Sequence, residues 1–429
     1  MKQVLREIIK EWWERELPQV ISRSISLQEY TPERLKKVIS VIGFRRVGKT
    51  YLLFDFIQAK GKDNCIYINF EDERVPEDSK VLTYLSEVIR EFTSDRKLIL
   101  LLDEIQNIPL WSKWIRRMLD THKYTIFISG SSSKLSSKEI STELRGRSLT
   151  VELYPLSFKE FLTFKDQSNI GLISESKILS FLREYLEFGG FPEVVLTEKG
   201  KKYLLIEEYF QTFLMRDIFE RYKIRQKQAL KEIIRLLLNS TYFTISKVTN
   251  TLKSAGFKIG KATVANYINY LRESLFIYPI EIFSYKVKDQ IQHPKKIYFV
   301  DTFFLSRFST KFSHNLGRLM ENCVAIELLR RKFKDPLVEI YYWKDYRERE
   351  VDFIVKNGKD LELIQVTYVS AGEVIEEREI ASLIRASKEL NSDNLLIITW
   401  DYEAEDKFKG KKIKFIPLWK WLVEAVDSR

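Results

Sequence analysis

Val38–Ile42, the octapeptide Gly43-Phe44-Arg45-Arg46-Val47-Gly48-Lys49-Thr50 and the run YLLFDFIQAK follow one another without a break, and no other feature limits the possible folds so sharply. The β-branched first segment reads as a buried strand and the last as a helix, so GxxxxGKT stands in a strand–loop–helix setting. Glycines in such a loop let successive backbone N–H groups turn inward around phosphates, and the helix start adds its partial positive charge. The pattern assigns Gly43, Arg46, Val47, Gly48, Lys49, Thr50 and Tyr51 to nucleotide binding. Lys49 is expected to reach the β- and γ-phosphates and Thr50 to ligate magnesium.

A second apolar strand, Leu98–Leu102, ends in Asp103 and Glu104, far enough from the loop for a helix and the strand Cys65–Phe70 to intervene. This is a Walker B pattern. Asp103 is expected to hold magnesium through a water, and Glu104 to orient or polarise the attacking water. The strand Tyr124–Ile128 then runs into Ser129-Gly130-Ser131-Ser132-Ser133, where either Ser129 or Ser131 could sense the γ-phosphate, or the run could be a plain loop. Arg145 and Arg147 flank Gly146. A guanidinium there suits the charge of a transferring phosphoryl group in a neighbouring subunit, or a local acid.

With 429 residues, the chain calls for two to four domains at roughly 100 to 200 residues each. Its 45% hydrophobic content supports packed cores. The longest aliphatic run, Leu98–Leu102, is far below the roughly 18 to 20 apolar residues of a membrane span. The N-terminus is interrupted by Glu, Lys and Arg and lacks the apolar stretch of a secretory signal, so a cytoplasmic location without a membrane partner is expected. Cys65 and Cys323, with His122, His293 and His314, show no metal-ligand spacing, which argues against a zinc or disulfide framework.

The motifs GFRRVGKT, LLLDEIQNI, ISGSSSKL, LRGRSLTVELYPLSFKEFL, FGGFPEVV and YFQTFLMRDIFERY, in this order, resemble those of a large prokaryotic group of AAA-type ATPases. Members of that group carry a C-terminal domain of unknown function with a restriction-endonuclease-like fold. The resemblance implies nucleotide roles for Lys49, Thr50, Asp103 and Glu104, and favours Arg145 or Arg147 as a γ-phosphate contact without choosing between them.

The net charge of +11 is unevenly placed. Between Lys223 and Val300 there are fourteen Lys or Arg against four acids, a surplus of ten. A solvated surface explains such a run, as does nucleic acid. Helical spacing at Gln226–Leu238, a cap at Thr244 and the segment Lys261–Ser274 are followed by strand-like Leu275–Phe283 and Lys295–Val300 with a Lys-rich tip. Three helices and a hairpin make the plan of a winged helix. Its expected DNA contacts are Lys258, Lys261, Thr263, Asn266 and Asn269, with Lys286 and Lys288 on the wing.

Farther on, helical spacing surrounds Glu321, and REREVDFIVKNGKDLELIQVTYV reads as a hairpin with Asn357-Gly358 at its turn. A helix over Glu373–Leu390 and strands at Asn394–Trp400 and Lys412–Pro417 complete a mixed α/β unit. Glu321 and Asp352 resemble the acids of a PD-(D/E)xK nuclease core. Gln365-Val366-Thr367 stands where that pattern expects (D/E)xK, so a carboxylate and the lysine are missing and the site is expected to be degenerate.

The whole reads as an α/β chain: an N-terminal helical arm (1–37), an AAA-type P-loop NTPase core (38–155), a helical lid (156–222), a winged-helix domain (223–300) and a PD-(D/E)xK-like domain (301–429). The expected catalytic set is Lys49, Glu104, Ser131, Arg145 and Arg147, with ATP and Mg2+ as cofactors. DNA is the expected partner, with further copies of the chain if an arginine acts in trans. A nucleotide-gated scaffold with slow hydrolysis and a metal-dependent nuclease are the alternatives. Trp12 and Trp13 could clasp the core or lie against a neighbour.

Overall fold

The computed structural model describes residues 1–30, 37–92, 98–121, 124–130, 140, 142–311, 315–370 and 377–424. The chain divides into two compact units, Met1–Tyr154 and Pro155–Arg429.

The first unit is built on a parallel sheet of β1 (Val38–Gly43), β2 (Cys65–Asn69), β3 (Leu98–Asp103), β4 (Tyr124–Ser129) and β5 (Ser148–Leu153), in the order β2-β3-β4-β1-β5. All of β1 is buried, as expected of a central parallel strand covered on both faces. On one face Ile66, Ile68, Leu100 and Leu102 join a core with α1 (Lys2–Glu14), α3 (Lys80–Phe92) and α4 (Trp111–Asp120). Toward the other lies α2 (Lys49–Lys60), whose Phe56 ring packs 4.4 Å from Phe127. The tryptophans of α1 settle the choice left open above. Trp12 packs on Phe54 and Tyr67, and the Trp12 and Trp13 indoles donate to the Cys65 carbonyl at 3.4 and 3.1 Å. The helix therefore clasps its own core, and burial of a ring the size of Trp12 is worth about 3 kcal/mol.

In the second unit, Ser157 caps α5 (Phe158–Phe164), its hydroxyl accepting from the Glu160 amide while Glu160 Oε2 accepts from the Ser157 amide at 2.8 Å. This capping box is the physical content of the PLSFKEF motif. α6 (Glu175–Phe188) stops at Gly189, whose φ is +74° and whose missing Cβ would fall 1.7 Å from Asp301 Oδ1. Only glycine admits that carboxylate, which accepts the Gly190 amide at 2.8 Å, so FGGFP is a docking site for Asp301. α7 (Pro192–Leu196) and α8 (Lys199–Thr212) follow, and α8 continues into a π-helical stretch over Phe213–Glu220. The helical spacing of the sequence does not distinguish such a stretch from an α-helix.

Next come α9 (Lys227–Leu238), β6 (Tyr242–Phe243), α10 (Ile245–Ser254) and α11 (Lys261–Glu273). β7 (Ile277–Ile280), α12 (Val287–Gln292) and β8 (Lys295–Phe299) complete this part. Thr244 caps α10 by accepting from the Lys247 amide at 3.1 Å. The three strands form an antiparallel sheet in the order β6-β8-β7. Two details differ from expectation. β7 is shorter than Leu275–Phe283 because the chain leaves it to bridge Tyr342, and the tip carries α12, which Ser284 begins by accepting from the Lys286 amide.

The remaining chain forms α13 (Thr302–Phe308), α14 (Leu316–Lys334), β9 (Val338–Lys344), β10 (Glu350–Asn357), β11 (Asp360–Val366), α15 (Glu377–Leu390), β12 (Asn394–Thr399), β13 (Ala404–Phe408), β14 (Lys411–Pro417) and α16 (Leu418–Glu424). Its six-stranded mixed sheet has the order β13-β14-β12-β11-β10-β9. The β10–β11 ladder closes at Asn357–Asp360, so the turn is Gly358-Lys359, one residue later than expected, because Gly358 takes the positive φ of +60°. A register shift between Val351 and Ile354 brackets Asp352, a local bulge of the kind that re-aims side chains.

Candidate functional site

The loop after β1 has little freedom. A Cβ on Gly43 would meet the Leu153 carbonyl oxygen at 2.4 Å, so only glycine lets β1 end against β5. Arg46 and Gly48 adopt left-handed φ values of +68° and +97°, while Val47 between them is fully buried. Gly48 opens α2 with no side-chain cap hydrogen bond. Lys49 is 7% exposed, and its ammonium donates to the Gly43 and Phe44 carbonyls at 3.2 Å each. Arg46 and Tyr51 are exposed.

Sheet register brings the second half of the site to the same end. β4 lies between β1 and β3, pairing Ser129 with Val41 on one side and with Asp103 on the other. Asp103, 3% exposed, accepts from the Thr50 hydroxyl at 2.8 Å and from the Tyr67 phenol at 2.9 Å on Oδ2, and from Ser129 Oγ on Oδ1. Burial and the Asp103 carboxylate push the Tyr67 phenol far above its ordinary value, so it remains a donor. Glu104 is held at φ +53°, with its amide on the Ser129 carbonyl and its carboxylate accepting from the Gln106 amide. Burial raises the Glu104 pKa against the opposing pull of the Lys49 ammonium.

The structure thus brings together Gly43, Val47, Gly48, Lys49, Thr50, Asp103, Glu104 and Ser129. Ser131 lies outside the described residues. Arg147 is paired with Asp120 at 2.8 Å, and Arg145 is exposed at a left-handed φ of +50°. Two contributors escaped the sequence reading. Tyr67 had a signal, since it is a hydroxyl-bearing residue in an otherwise apolar buried run next to the Asp103 strand. Arg23 had none: its guanidinium, from the irregular segment after α1, donates to the Val47 and Tyr154 carbonyls at 3.1 and 3.0 Å.

A second polar centre lies in the other unit. Lys296 of β8 is fully buried, and its ammonium meets Glu321 at 2.9 Å, Glu350 at 2.5 Å and Asp352 at 2.8 Å. Tyr298 donates to Glu321 at 2.6 Å and Arg318 pairs with it at 3.1 Å. Burial alone lowers the Lys296 pKa, yet the surrounding acids, Asp352 first, hold it well above its ordinary value. Against burial, Lys296 and Arg318 hold the Glu321 pKa down, whereas burial and the neighbouring carboxylates carry Asp352 up.

Gln365 accepts from the Asp352 amide at 3.4 Å, and Asp352 Oδ2 accepts from the Val366 amide at 2.9 Å. Thr367 is buried with its amide on Ile398. Lys296 reaches these acids from β8 of the three-stranded sheet, and its ammonium fills the space between them. Among the described residues no group of three or more His, Cys, Asp or Glu is placed to hold a metal, and Cys65 and Cys323 are both free and buried. No described helix is long and apolar enough to cross a membrane.

Of the residues expected to touch DNA, Lys258, Lys261, Asn266, Lys286 and Lys288 are exposed and Thr263 is half-buried. Asn269 donates to Glu273 at 2.9 Å and lines a groove of about 480 Å³ whose far wall includes Ile340 and Tyr341 of β9.

Comparison with known proteins gives three consecutive family matches: an AAA domain over residues 35–162, and two domains of unknown function, DUF8612 over 180–315 and DUF4143 over 316–421. The uncharacterized protein MJ1544 of Methanocaldococcus jannaschii is 39% identical over 415 residues, covering 94% of this chain and 91% of that protein. An uncharacterized protein of Haemophilus influenzae is 28% identical over 412 residues, 93% of this chain and 98% of its own length. Among solved structures, the Walker-type ATPase PABY2304 of Pyrococcus abyssi is 14% identical with a TM-score of 0.45, covering 65% of this chain and 92% of that one.

Proposed function

We propose that this chain, which belongs to the AAA-type ATPase family that includes MJ1544 of Methanocaldococcus jannaschii, binds ATP with Mg2+, hydrolyses it, and couples that cycle to nucleic acid. The observation that carries the reading is the meeting of Thr50 and Asp103, 2.8 Å apart, at the start of a helix that opens on Gly48 with no side-chain cap and on the buried Lys49. Hydroxyl and carboxylate oxygens are the donor set that suits Mg2+, which leaves its remaining positions to water and phosphate. Thr50 and Asp103 would hold the ion. When bound, it would withdraw charge from the phosphate oxygens.

This chain's own groups account for the rest. Gly48 and the first amides of α2 bind the phosphates, and Lys49 exchanges two carbonyl acceptors for phosphate oxygens. Glu104, its pKa raised by burial, accepts the proton of the attacking water. Ser129 holds Asp103 in place. Because Arg147 is engaged by Asp120, Arg145 is the better candidate for a γ-phosphate contact in another subunit.

We read α9 to β8 as a winged helix that contacts DNA backbone through Lys258, Lys261, Lys286 and Lys288, with Thr263, Asn266 and Asn269 nearer the bases. The C-terminal sheet with Glu321 and Asp352 is read as a nuclease-like fold used for support, since Lys296 already neutralises its acids. Steady-state phosphate release with and without duplex and single-stranded DNA tests the coupling. Stimulation that fades as salt rises from 50 to 200 mM, about tenfold or more, is expected of phosphate contacts. ATP turnover indifferent to both DNA forms would contradict nucleic-acid coupling.

A further inference from the structure

Arg23 stands outside every motif in the sequence, yet it ties the N-terminal segment to the phosphate loop. Its Nη1 donates to the Val47 carbonyl at 3.1 Å and its Nη2 to the Tyr154 carbonyl at 3.0 Å, just past the end of β5. The segment that carries it is held along α2: Gln58 donates to the Pro18 carbonyl at 3.3 Å, Ser22 donates to Asp55 at 2.7 Å, and Leu27 is buried. The guanidinium is half-buried, and its planar fork spans two carbonyls that no single-point donor could join.

We infer that Arg23 is a positioning residue for phosphate binding. In a trans peptide the C=O and the following N–H point in opposite directions. Arg23 holds the Val47 carbonyl outward, so the Gly48 amide must point inward, toward the start of α2 where phosphate binds. Gly48 is the residue that needs this restraint. Its φ of +97° lies where a glycine is free to rotate, and the buried Val47 side chain fixes only one side of the peptide. The Tyr154 carbonyl anchors the other arm of the guanidinium to the strand end against which Gly43 is packed. Both ends of the loop are therefore referred to β5, one through the absent Cβ of Gly43 and the other through Arg23. The inference rests on the nucleotide reading of this loop.

Its test uses the full chain, a fluorescent N-methylanthraniloyl ATP analogue with Mg2+, and steady-state turnover. Arg23→Ala is expected to weaken analogue binding and raise the KM for ATP about tenfold, the effect of one misdirected charge-facing donor, with kcat nearly unchanged. Arg23→Lys keeps the charge but reaches one carbonyl, so it is expected to restore only part of the affinity. Arg6→Ala, which breaks an exposed pair with Glu91 between α1 and α3, is expected to leave both parameters as they are. Hydrogen exchange at residues 43–50 is expected to quicken in Arg23→Ala while the β3 peptide is unchanged, a readout that also covers a variant with reduced stability.

Wild-type protein that binds no analogue overturns the nucleotide reading and this inference with it. Wild-type binding that is lost in Lys49→Ala but unaltered in Arg23→Ala, with unaltered exchange of the loop, overturns the inference alone. A fall in kcat at constant KM also contradicts it, because an aimed ground-state donor acts on binding first.

Discussion

Lys49 and Lys296 are both buried lysines, the first opening the helix after a central strand and the second on the middle strand of its sheet, and they meet opposite surroundings. The Lys49 ammonium rests on two main-chain carbonyls at the mouth of a glycine loop, with Asp103 held apart by three hydroxyl donors. The Lys296 ammonium is fully enclosed and meets three carboxylates within 2.9 Å. A carbonyl is a weak acceptor that phosphate oxygens can replace. A triad of carboxylates in low dielectric is not given up. The first arrangement is poised for a ligand, and the second is satisfied and holds two sheets of one unit together.

The comparison breaks most visibly at Glu104. Glu104→Gln keeps the shape of the first site and removes its proton acceptor, so turnover is expected to fall about 10²- to 10⁴-fold while nucleotide affinity is retained, as phosphate-release and binding assays would show. Unchanged turnover would remove Glu104 from the reaction.

Lys296→Met tests the other side. It leaves buried carboxylates without their cation, and chemical denaturation is expected to show a loss of about 3 to 5 kcal/mol. Adding Asp352→Asn is expected to return part of that loss in a double-mutant cycle, since the two groups are in contact. Additive losses would mean that the ammonium and the carboxylate are not coupled.

Asp301 sharpens the contrast, being a buried acid that accepts from backbone amides and feels the Arg330 guanidinium. Burial carries it from an ordinary value of 3.8 up to about 7, against the Gly190 and Phe303 amides. Between those values the folded state holds a proton that the unfolded state has released, so this group's contribution to stability falls as pH rises from about 4 to about 7. Asp301→Asn is therefore expected to gain on the wild type across that window, by about 4 kcal/mol at most, whatever constant cost the amide carries. A difference in denaturation midpoint independent of pH would contradict it.

The smallest effect belongs to Tyr67→Phe, which removes one of three donors to Asp103. A loss of about 1 kcal/mol in thermal unfolding is expected, with modest change in turnover.

Much of the first site was legible because its parts are local. Gly43–Thr50 is contiguous, and the Asp103 strand announces itself by an apolar run that ends in acids. Strand order added what sequence could not, placing Ser129 between Val41 and Asp103. Arg23 was hidden because its contacts reach 24 and 131 residues along the chain from a segment without periodicity. Lys296 was hidden for a similar reason: it follows Lys295 in a basic stretch and reads as surface, while its acids, Glu321, Glu350 and Asp352, come from distant parts of the chain. The surplus of ten between Lys223 and Val300 therefore counted one buried charge as surface. Asn357-Gly358 marked the right hairpin with the turn one residue early, because the demand for positive φ falls on Gly358.

Equilibrium binding of ATP with Mg2+ to the wild type and to Lys49→Ala bears most directly on the account. Saturable binding to the wild type, weakened at least about 100-fold when the loop ammonium is removed, is the expected result. Equal affinity in the two proteins, or none in either, would contradict it.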